Sequence, residues 1–234
     1  MNIFIRCFFC IAFGFLAISA QAQTKYRLAD YMPNHAGDSL LFQNLNPAIK
    51  EPILIAWPDT ATFKGQTVLE RTESTGGRRL ELLDPAEGWK LFLIGFQKNT
   101  DMIFEKPLLL LPAEVEHGAV YRSSSPFSVF SSGRKLGAGI QNYEIKVEGH
   151  DTSRTPLRNF GECLVIITTA TRTDTDGVRR GYEIKEWYAR EFGLVKMAGE
   201  AFTLDAKGAR TRVVKAAGML EKAKVAGESY KWND

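Results

Sequence analysis

The sequence has few residues of the types that build disulfide frameworks or metal centres. It contains three cysteines and three histidines among its 234 residues. Cys7 and Cys10 lie in an N-terminal segment that we expect to be removed, which leaves Cys163 alone. A single cysteine excludes an intramolecular disulfide. The fold must therefore rest on packing, which a chain of this length can supply.

The chain also lacks an excess of one charge and a long hydrophobic run. Its 30 basic and 27 acidic residues give a net charge of +3. This balance lacks the dense positive charge of a nucleic-acid-binding surface, so we expect no DNA or RNA partner. The most apolar run, Cys7–Ala20, is shorter than the roughly 20 residues that span a bilayer. We expect no transmembrane segment after this run.

The N-terminus has the pattern of a secretory signal peptide. Arg6 precedes the apolar run, and Ala20-Gln21-Ala22 supplies the small residues typical of a cleavage site. The sequence thus predicts a signal peptide over residues 1–22 and a mature chain that begins at Gln23. A lipid anchor would need small residues before a cysteine, whereas Phe8 and Phe9 precede Cys10. We expect a secreted bacterial protein, periplasmic or extracellular.

Alternation of apolar and polar residues predicts strands over most of the mature chain. In Ile140–Val147, the side chains of Tyr143, Ile145 and Val147 share one face, as in a half-buried strand. Turn residues such as Ser74-Thr75-Gly76-Gly77 and the Asp-Gly pair within Thr173–Gly177 predict antiparallel hairpins. The further predicted strands are Gln66–Arg71, Arg78–Leu83, Trp89–Gln97, Cys163–Ala170 and Tyr182–Tyr188.

Other segments carry weaker signals. Pro107–Pro112 predicts a brief buried strand or an extended crossing, and Ser123–Ser125 and Ser131–Gly133 predict loops. Val214–Val225 contains good helix formers interrupted by Gly218, which leaves both helix and strand open. No linker or repeat divides residues 23–234. The predicted fold is one mainly β domain, a single curved antiparallel sheet or a partly closed β-barrel with little helix.

Four segments of the predicted mature chain carry a further pattern, namely Tyr31–Phe42, Pro156–Ile166, Trp187–Ala189 and Gly193–Lys196. They resemble a family of bacterial exported β-domains of unknown function, called TapB-like. The last two are the more specific, because the family tends to carry Tyr-Tyr-Ala followed by Gly-Leu-Val-Lys. At the N-terminal segment the chain departs from the family pattern, with Met32, Asn34 and Leu40 at positions usually held by Phe, Leu and Trp. The resemblance implies an exported antiparallel sheet and no activity.

The histidines form no recognisable metal or catalytic motif. His35, His117 and His150 are far apart in the sequence, without the short spacing of a metal signature. Asp151 next to His150, and Glu114 and Glu116 before His117, leave a catalytic or metal-binding alternative open. We interpret all three as residues of surface loops.

Cys163 and the Asp174–Asp176 segment receive structural interpretations. Cys163 begins an apolar strand, where burial disfavours the nucleophilic thiolate, so we predict a core residue. Asp174, Asp176 and Glu183 have part of a calcium-loop spacing, but Arg172 occupies the first ligand position. A hairpin turn fits this segment better. Esterase, phosphate-loop and dinucleotide-binding motifs do not occur. We therefore predict no catalytic, cofactor-binding or metal residue and no cofactor.

Three functions are consistent with these observations. The first is a non-enzymatic envelope protein whose concave sheet binds an apolar ligand or another envelope component. The second is a hydrolase whose histidine and carboxylates come together from distant loops. The third is a structural or protein-binding module, which would expose a large apolar patch. We favour the first.

Overall fold

The computed structural model describes residues 24–231 except 33, 47, 48, 50, 97, 98, 175 and 176. The predicted signal peptide, the C-terminal end of the Trp89–Gln97 strand and part of the Thr173–Gly177 turn lie outside this set. Strands dominate, and a single turn of 3-10 helix covers Leu28–Asp30. The strands are β1 (Lys25–Arg27), β2 (Asp38–Asn44), β3 (Ile53–Phe63), β4 (Gln66–Glu73), β5 (Arg78–Asp84), β6 (Gly88–Phe96), β7 (Thr100–Leu111), β8 (Glu114–Glu116), β9 (Val120–Ser131), β10 (Arg134–Arg154), β11 (Asn159–Asp174), β12 (Arg179–Ala189), β13 (Gly193–Leu204), β14 (Arg210–Val225) and β15 (Glu228–Lys231).

Twelve antiparallel strands form a barrel, with β15 as an extra strand. The order runs β13-β12-β11-β10-β9-β7-β6-β5-β4-β3-β2-β14, and pairing between β13 and β14 closes the ring. β14 pairs with β2 on one edge, while its other edge pairs first with β13 and then with β15. Closure leaves few unpaired strand edges, which are the usual sites of edge-to-edge aggregation. Within the described ranges, no helix is long and apolar enough to cross a membrane.

The two ends of the barrel differ. The N-terminal segment covers one end, where β1 pairs with β8 and the backbone N–H of Leu28 donates to the carbonyl of Ala113. Tyr31 is fully buried there. We call this the closed end. The opposite end carries the β4–β5, β6–β7, β9–β10, β11–β12 and β13–β14 turns, and we call it the mouth.

A continuous apolar core fills the barrel towards the closed end. Burial of each large side chain contributes about 1.5 to 3 kcal/mol. A smaller cluster of Val68, Leu80, Phe92 and Leu93 packs separately from this core. Fully buried side chains of the main core include Leu28, Tyr31, Leu40, Phe42, Leu91, Phe104, Leu111, Phe127 and Ile145.

The structure confirms the mainly β, antiparallel-barrel prediction and most of the strands. Tyr143, Ile145 and Val147 are buried on β10, and their polar neighbours are exposed. The loop prediction for Ser123–Ser125 is wrong, because these residues pair with β10 inside strand β9. Pro107 lies inside the long strand β7. Val214–Val225 is strand, because β13 and β2 pair with it on both edges and override its local helix propensity.

Candidate functional site

Five charged side chains lie in the barrel interior between the apolar core and the mouth. They are Arg71, Glu73, Arg79, Glu81 and Glu186, and we call them the lumen charge cluster. Alternation along each strand places them on the inner face of the barrel wall. Burial of charged groups costs several kcal/mol per ion unless partners compensate, so a cluster of this kind marks a candidate site.

Two arginines face each other directly across the β4–β5 pair. Arg71 and Arg79 are cross-strand partners, an arrangement in which like charges repel. Glu73 lies between them, with its Oε1 2.9 Å from Arg71 Nη2 and 3.9 Å from Arg79 Nη2. Burial raises the pKa of Glu73, but the two guanidinium groups more than offset it and hold the pKa below its ordinary value. Glu73 therefore stays ionised and offsets the repulsion between the arginines.

The carboxylate of Glu81 is held by two tryptophans. It is 2 % exposed, and it accepts hydrogen bonds from Trp57 Nε1 at 2.8 Å and from Trp89 Nε1 at 3.3 Å. The guanidinium carbon of Arg71 lies 5.9 Å from the ring centre of Trp57, within cation–π range. Trp57 thus contacts both Arg71 and Glu81, and both carboxylate oxygens of Glu81 have hydrogen-bond partners.

Glu186 lies across the barrel on β12. It is 8 % exposed and accepts a 3.4 Å hydrogen bond from Thr168 Oγ1. Burial raises the pKa of Glu186, and the nearby Arg71 and Arg79 reverse only part of that effect. Burial also raises the pKa of Tyr143 and of Tyr182, whose hydroxyls are 3.2 Å apart. These side chains complete a polar layer across the lumen.

The polar layer lines two neighbouring cavities. One, of about 320 Å³, combines charged residues with an apolar wall, and this volume lies at the lower end of the range for small-molecule sites. The other, of about 290 Å³, lies nearer the mouth. Glu73, Arg79, Tyr143 and Tyr182 line both cavities. The apolar wall of the first includes Ile53, Ile55, Leu110, Ile145, Ile184 and Met197.

Arginines are concentrated on the cavity near the mouth. Arg78, Arg79, Arg172 and Arg180 line it, and among its described lining residues Glu73 is the one acid. Arg78 makes an ion pair of 3.0 Å with Asp101, and Arg172 makes one of 2.9 Å with Asp174. Positive charge at the entrance to a cavity attracts anions and raises their local concentration.

The histidines lie outside this site. His35 lies in the turn before β2, with Nδ1 3.4 Å from Asp38 Oδ2. His117 packs against Gly149 in the turn after β8. The surface-loop prediction is wrong for His150, which lies in strand β10 opposite Leu164, with its Nε2 atom 2.7 Å from the hydroxyl of Tyr31. None of the three lines either lumen cavity. Among the residues that the structure describes, no group of three His, Cys, Asp or Glu side chains could hold a metal ion.

The surroundings of Cys163 and Asp174 agree with the structural roles predicted for them. Cys163 is fully buried, and burial raises the pKa of its thiol to about 11, as predicted for a core cysteine. Asp174 forms ion pairs with Arg172 and Arg180, and Glu183 forms one with Arg210. Arginine partners occupy both acids, which fits the hairpin interpretation. Asp176 lies outside the described residues.

Sequence reasoning did not find the lumen charge cluster. The sequence predicts Arg71 at the end of one strand and Arg79 near the start of the next, with a hairpin between them. The available signal was that hairpin register, which makes the two arginines cross-strand neighbours. With 27 acidic residues in the chain, no carboxylate could be singled out beside them.

Comparisons with known proteins identify no function. No protein-family model matches the chain, and no curated protein matches it. An inferred exported protein with a YmcC-like fold from Bacteroides fragilis is 11 % identical, with a TM-score of 0.47 over 83 % of this chain and 98 % of that chain. An inferred lipoprotein from Parabacteroides distasonis is 10 % identical, with a TM-score of 0.34 over 83 % of this chain and 98 % of that chain.

Proposed function

We propose that this protein is an exported, non-enzymatic barrel that binds a small molecule with an apolar part in its lumen. The observation that carries this proposal is the cavity of about 320 Å³, which has an apolar wall and is lined by four members of the lumen charge cluster. Pockets of this composition, mostly apolar with a few converging polar groups, are typical of small-molecule sites. We expect a ligand to enter from the mouth, because the N-terminal segment covers the closed end.

Export rests on the N-terminal sequence. The predicted signal peptide over residues 1–22 would deliver the chain to the periplasm or the exterior, where the mature protein begins at Gln23. The TapB-like resemblance is consistent with this location and with the β fold. Mass spectrometry of the protein recovered from the cell envelope tests the cleavage site, and a chain that retains Met1 would contradict it.

Native mass spectrometry of the protein purified from the envelope, followed by solvent extraction, tests ligand binding. We expect a mass excess over the polypeptide that extraction removes. Met197→Trp fills the lumen cavity, which Met197 lines, and should abolish the excess. Ala198→Trp is the matched control, because Ala198 follows on the same strand and lines the outer surface of the barrel instead. An unliganded mass for the wild-type protein would overturn the proposal.

The hydrolase alternative predicted from the sequence combines a histidine with carboxylates within reach of a bound substrate. Glu73 and Glu186 line the larger lumen cavity, but none of the three histidines, nor Cys163, lines either cavity. We therefore develop the binding proposal alone.

A further inference from the structure

Among the described residues, several hydrogen-bond donors of the lumen lack an acceptor. Arg71 is 7 % exposed and lines the cavity, yet its Nε has no hydrogen-bond partner among the described residues. A buried donor without a partner costs about 1 to 3 kcal/mol, so such groups usually have an explanation. Here the donor belongs to a cation at the centre of the candidate site.

Two further donors in the cavity are also available. The described residues offer no hydrogen bond to the guanidinium of Arg79, whose ion-pair partner Glu73 lies 3.9 Å away. The hydroxyl of Tyr182 donates to that of Tyr143, and among the residues that the structure describes the Tyr143 proton has no acceptor. Arg79 and both tyrosines line the cavity together with Arg71.

The acceptors of the cluster, in contrast, already have partners. Glu73 accepts from Arg71, Glu81 accepts from two indoles, and Glu186 accepts from Thr168. The raised pKa of Glu186 also favours its neutral form, which lowers the negative charge that faces the two arginines. The lumen therefore has hydrogen-bond donors that lack an acceptor. The positive charges of Arg71 and Arg79 favour an anionic acceptor.

Resting on the proposed function, we infer that the lumen ligand is a single-chain amphiphile with an anionic oxyacid head, whose oxygens accept hydrogen bonds from Arg71 Nε, Arg79 and the Tyr143–Tyr182 pair. The hydrocarbon chain lies along the apolar wall that includes Ile55, Ile145 and Ile184. The modest cavity volume fits one chain and no second. The positive charge of the arginines near the mouth attracts the anionic head of the ligand.

A displacement assay with four dodecyl compounds tests this inference on the wild-type protein. The neutral fluorophore N-phenyl-1-naphthylamine serves as the probe, because its emission rises in an apolar cavity. The competitors are dodecanoate, dodecyl phosphate, dodecanol and dodecyltrimethylammonium, which share a chain and differ in head. We expect at least one of the two anions to bind about tenfold or more tightly than dodecanol, since a charge-assisted hydrogen bond contributes that much. The relative affinities of carboxylate and phosphate then separate a fatty acid from a phosphate-headed lipid.

Two variants and a matched control connect the preference to the named residues. Arg79→Met should weaken binding of the preferred anion about tenfold and leave dodecanol binding within about twofold of wild type. Arg71→Met should do the same, provided that its circular dichroism spectrum and thermal unfolding show a folded protein. Arg122→Met is the control, because Arg122 is 70 % exposed and pairs with Glu144 outside the lumen. It should change neither affinity.

The outcomes separate the inference from the function on which it rests. Equal affinities for the anions and dodecanol, or an unchanged preference in Arg79→Met, would overturn the anionic head and leave lumen binding intact. Tightest binding of dodecyltrimethylammonium would likewise overturn it. No displacement by any competitor would overturn the inference. If the protein purified from the envelope also carries no extractable molecule, the proposed function fails with it.

Discussion

The indole Nε1 of Trp57 donates a 2.8 Å hydrogen bond to Oε1 of Glu81, a carboxylate that is 2 % exposed. Trp89 supplies the second donor from the neighbouring strand β6. A buried carboxylate needs such partners, because water cannot reach it. The two tryptophans therefore make it possible for an acid to lie between the apolar core and the ligand cavity.

Removal of the Trp57 donor should destabilise the protein more than removal of an indole donor whose carboxylate acceptor is exposed. Trp57→Phe should lower the free energy of unfolding by about 2 to 4 kcal/mol, through the lost hydrogen bond to a buried charge and the lost volume. Trp187→Phe is the control, because Trp187 Nε1 donates to Asp151, an exposed residue that water can solvate instead. Both indoles are buried and lose similar volume, so we expect the loss there to be smaller by about 1 kcal/mol or more. Urea unfolding measures both, and equal losses would contradict a special role for Glu81.

Two glutamates of the lumen should respond to acid with opposite signs. The folded-state pKa of Glu73 is lowered, so its contribution to stability is present above its unfolded pKa and is lost as the pH falls. The folded-state pKa of Glu186 is raised, so its contribution is present below its unfolded pKa and is lost as the pH rises through the folded value.

Glutamine variants test this difference. At pH 7 we expect Glu73→Gln to destabilise the protein, because the anion between Arg71 and Arg79 is lost. Glu186→Gln should stabilise it, because the variant resembles the protonated acid that burial favours. Both differences should shrink towards pH 4. Urea unfolding at the two pH values measures them, and effects of the same sign at pH 7 would refute the assignment.

The strands of the barrel could be predicted from the sequence, but the inner face of its wall could not. Alternation on β5 correctly separates Arg79 and Glu81 from Leu80. It does not say which set faces the lumen. In the structure Leu80 packs with Val68 and Phe92 in a separate apolar cluster, which leaves the charged set on the inside. Where both faces of the barrel wall carry apolar residues, alternation cannot tell which face lines the lumen, because either face could belong to the core.

Gly88 should be the least replaceable of the turn glycines at the closed end. Its φ is +113°, and an added Cβ would lie 2.1 Å from the carbonyl oxygen of Leu111, a backbone atom that cannot turn away. Gly65 has a φ of +78° with open space around it. We expect Gly65→Ala to cost about 1 kcal/mol and Gly88→Ala about 3 kcal/mol or more. Thermal and urea unfolding measure both, and similar costs would contradict the close approach of β6 and β7.

Cys163 should be inert in the folded protein. Burial, together with the nearby Asp151 carboxylate, raises the pKa of its thiol from 9.0 to about 11. At pH 9 about 1 % of folded molecules would carry the reactive thiolate, against about half of unfolded ones. In a chain that begins at Gln23, Ellman's reagent should therefore detect one thiol after unfolding in guanidinium chloride and none before. In a Cys163→Ala background, Ser124→Cys provides an exposed thiol that should react at once in the folded state.

The same pKa shift predicts the effect of alkali on stability. Because the folded pKa of Cys163 lies above the unfolded value, its contribution to stability is complete below pH 9 and is lost as the pH rises towards 11. The wild-type protein should thus lose more free energy of unfolding between pH 8 and pH 10 than Cys163→Ala, in which this titration is absent. Urea unfolding across this range measures the difference. Parallel curves for the two proteins, or labelling of native Cys163 as fast as the Ser124→Cys thiol, would show that the thiol is accessible and ionises normally. That result would reopen a nucleophilic role for Cys163.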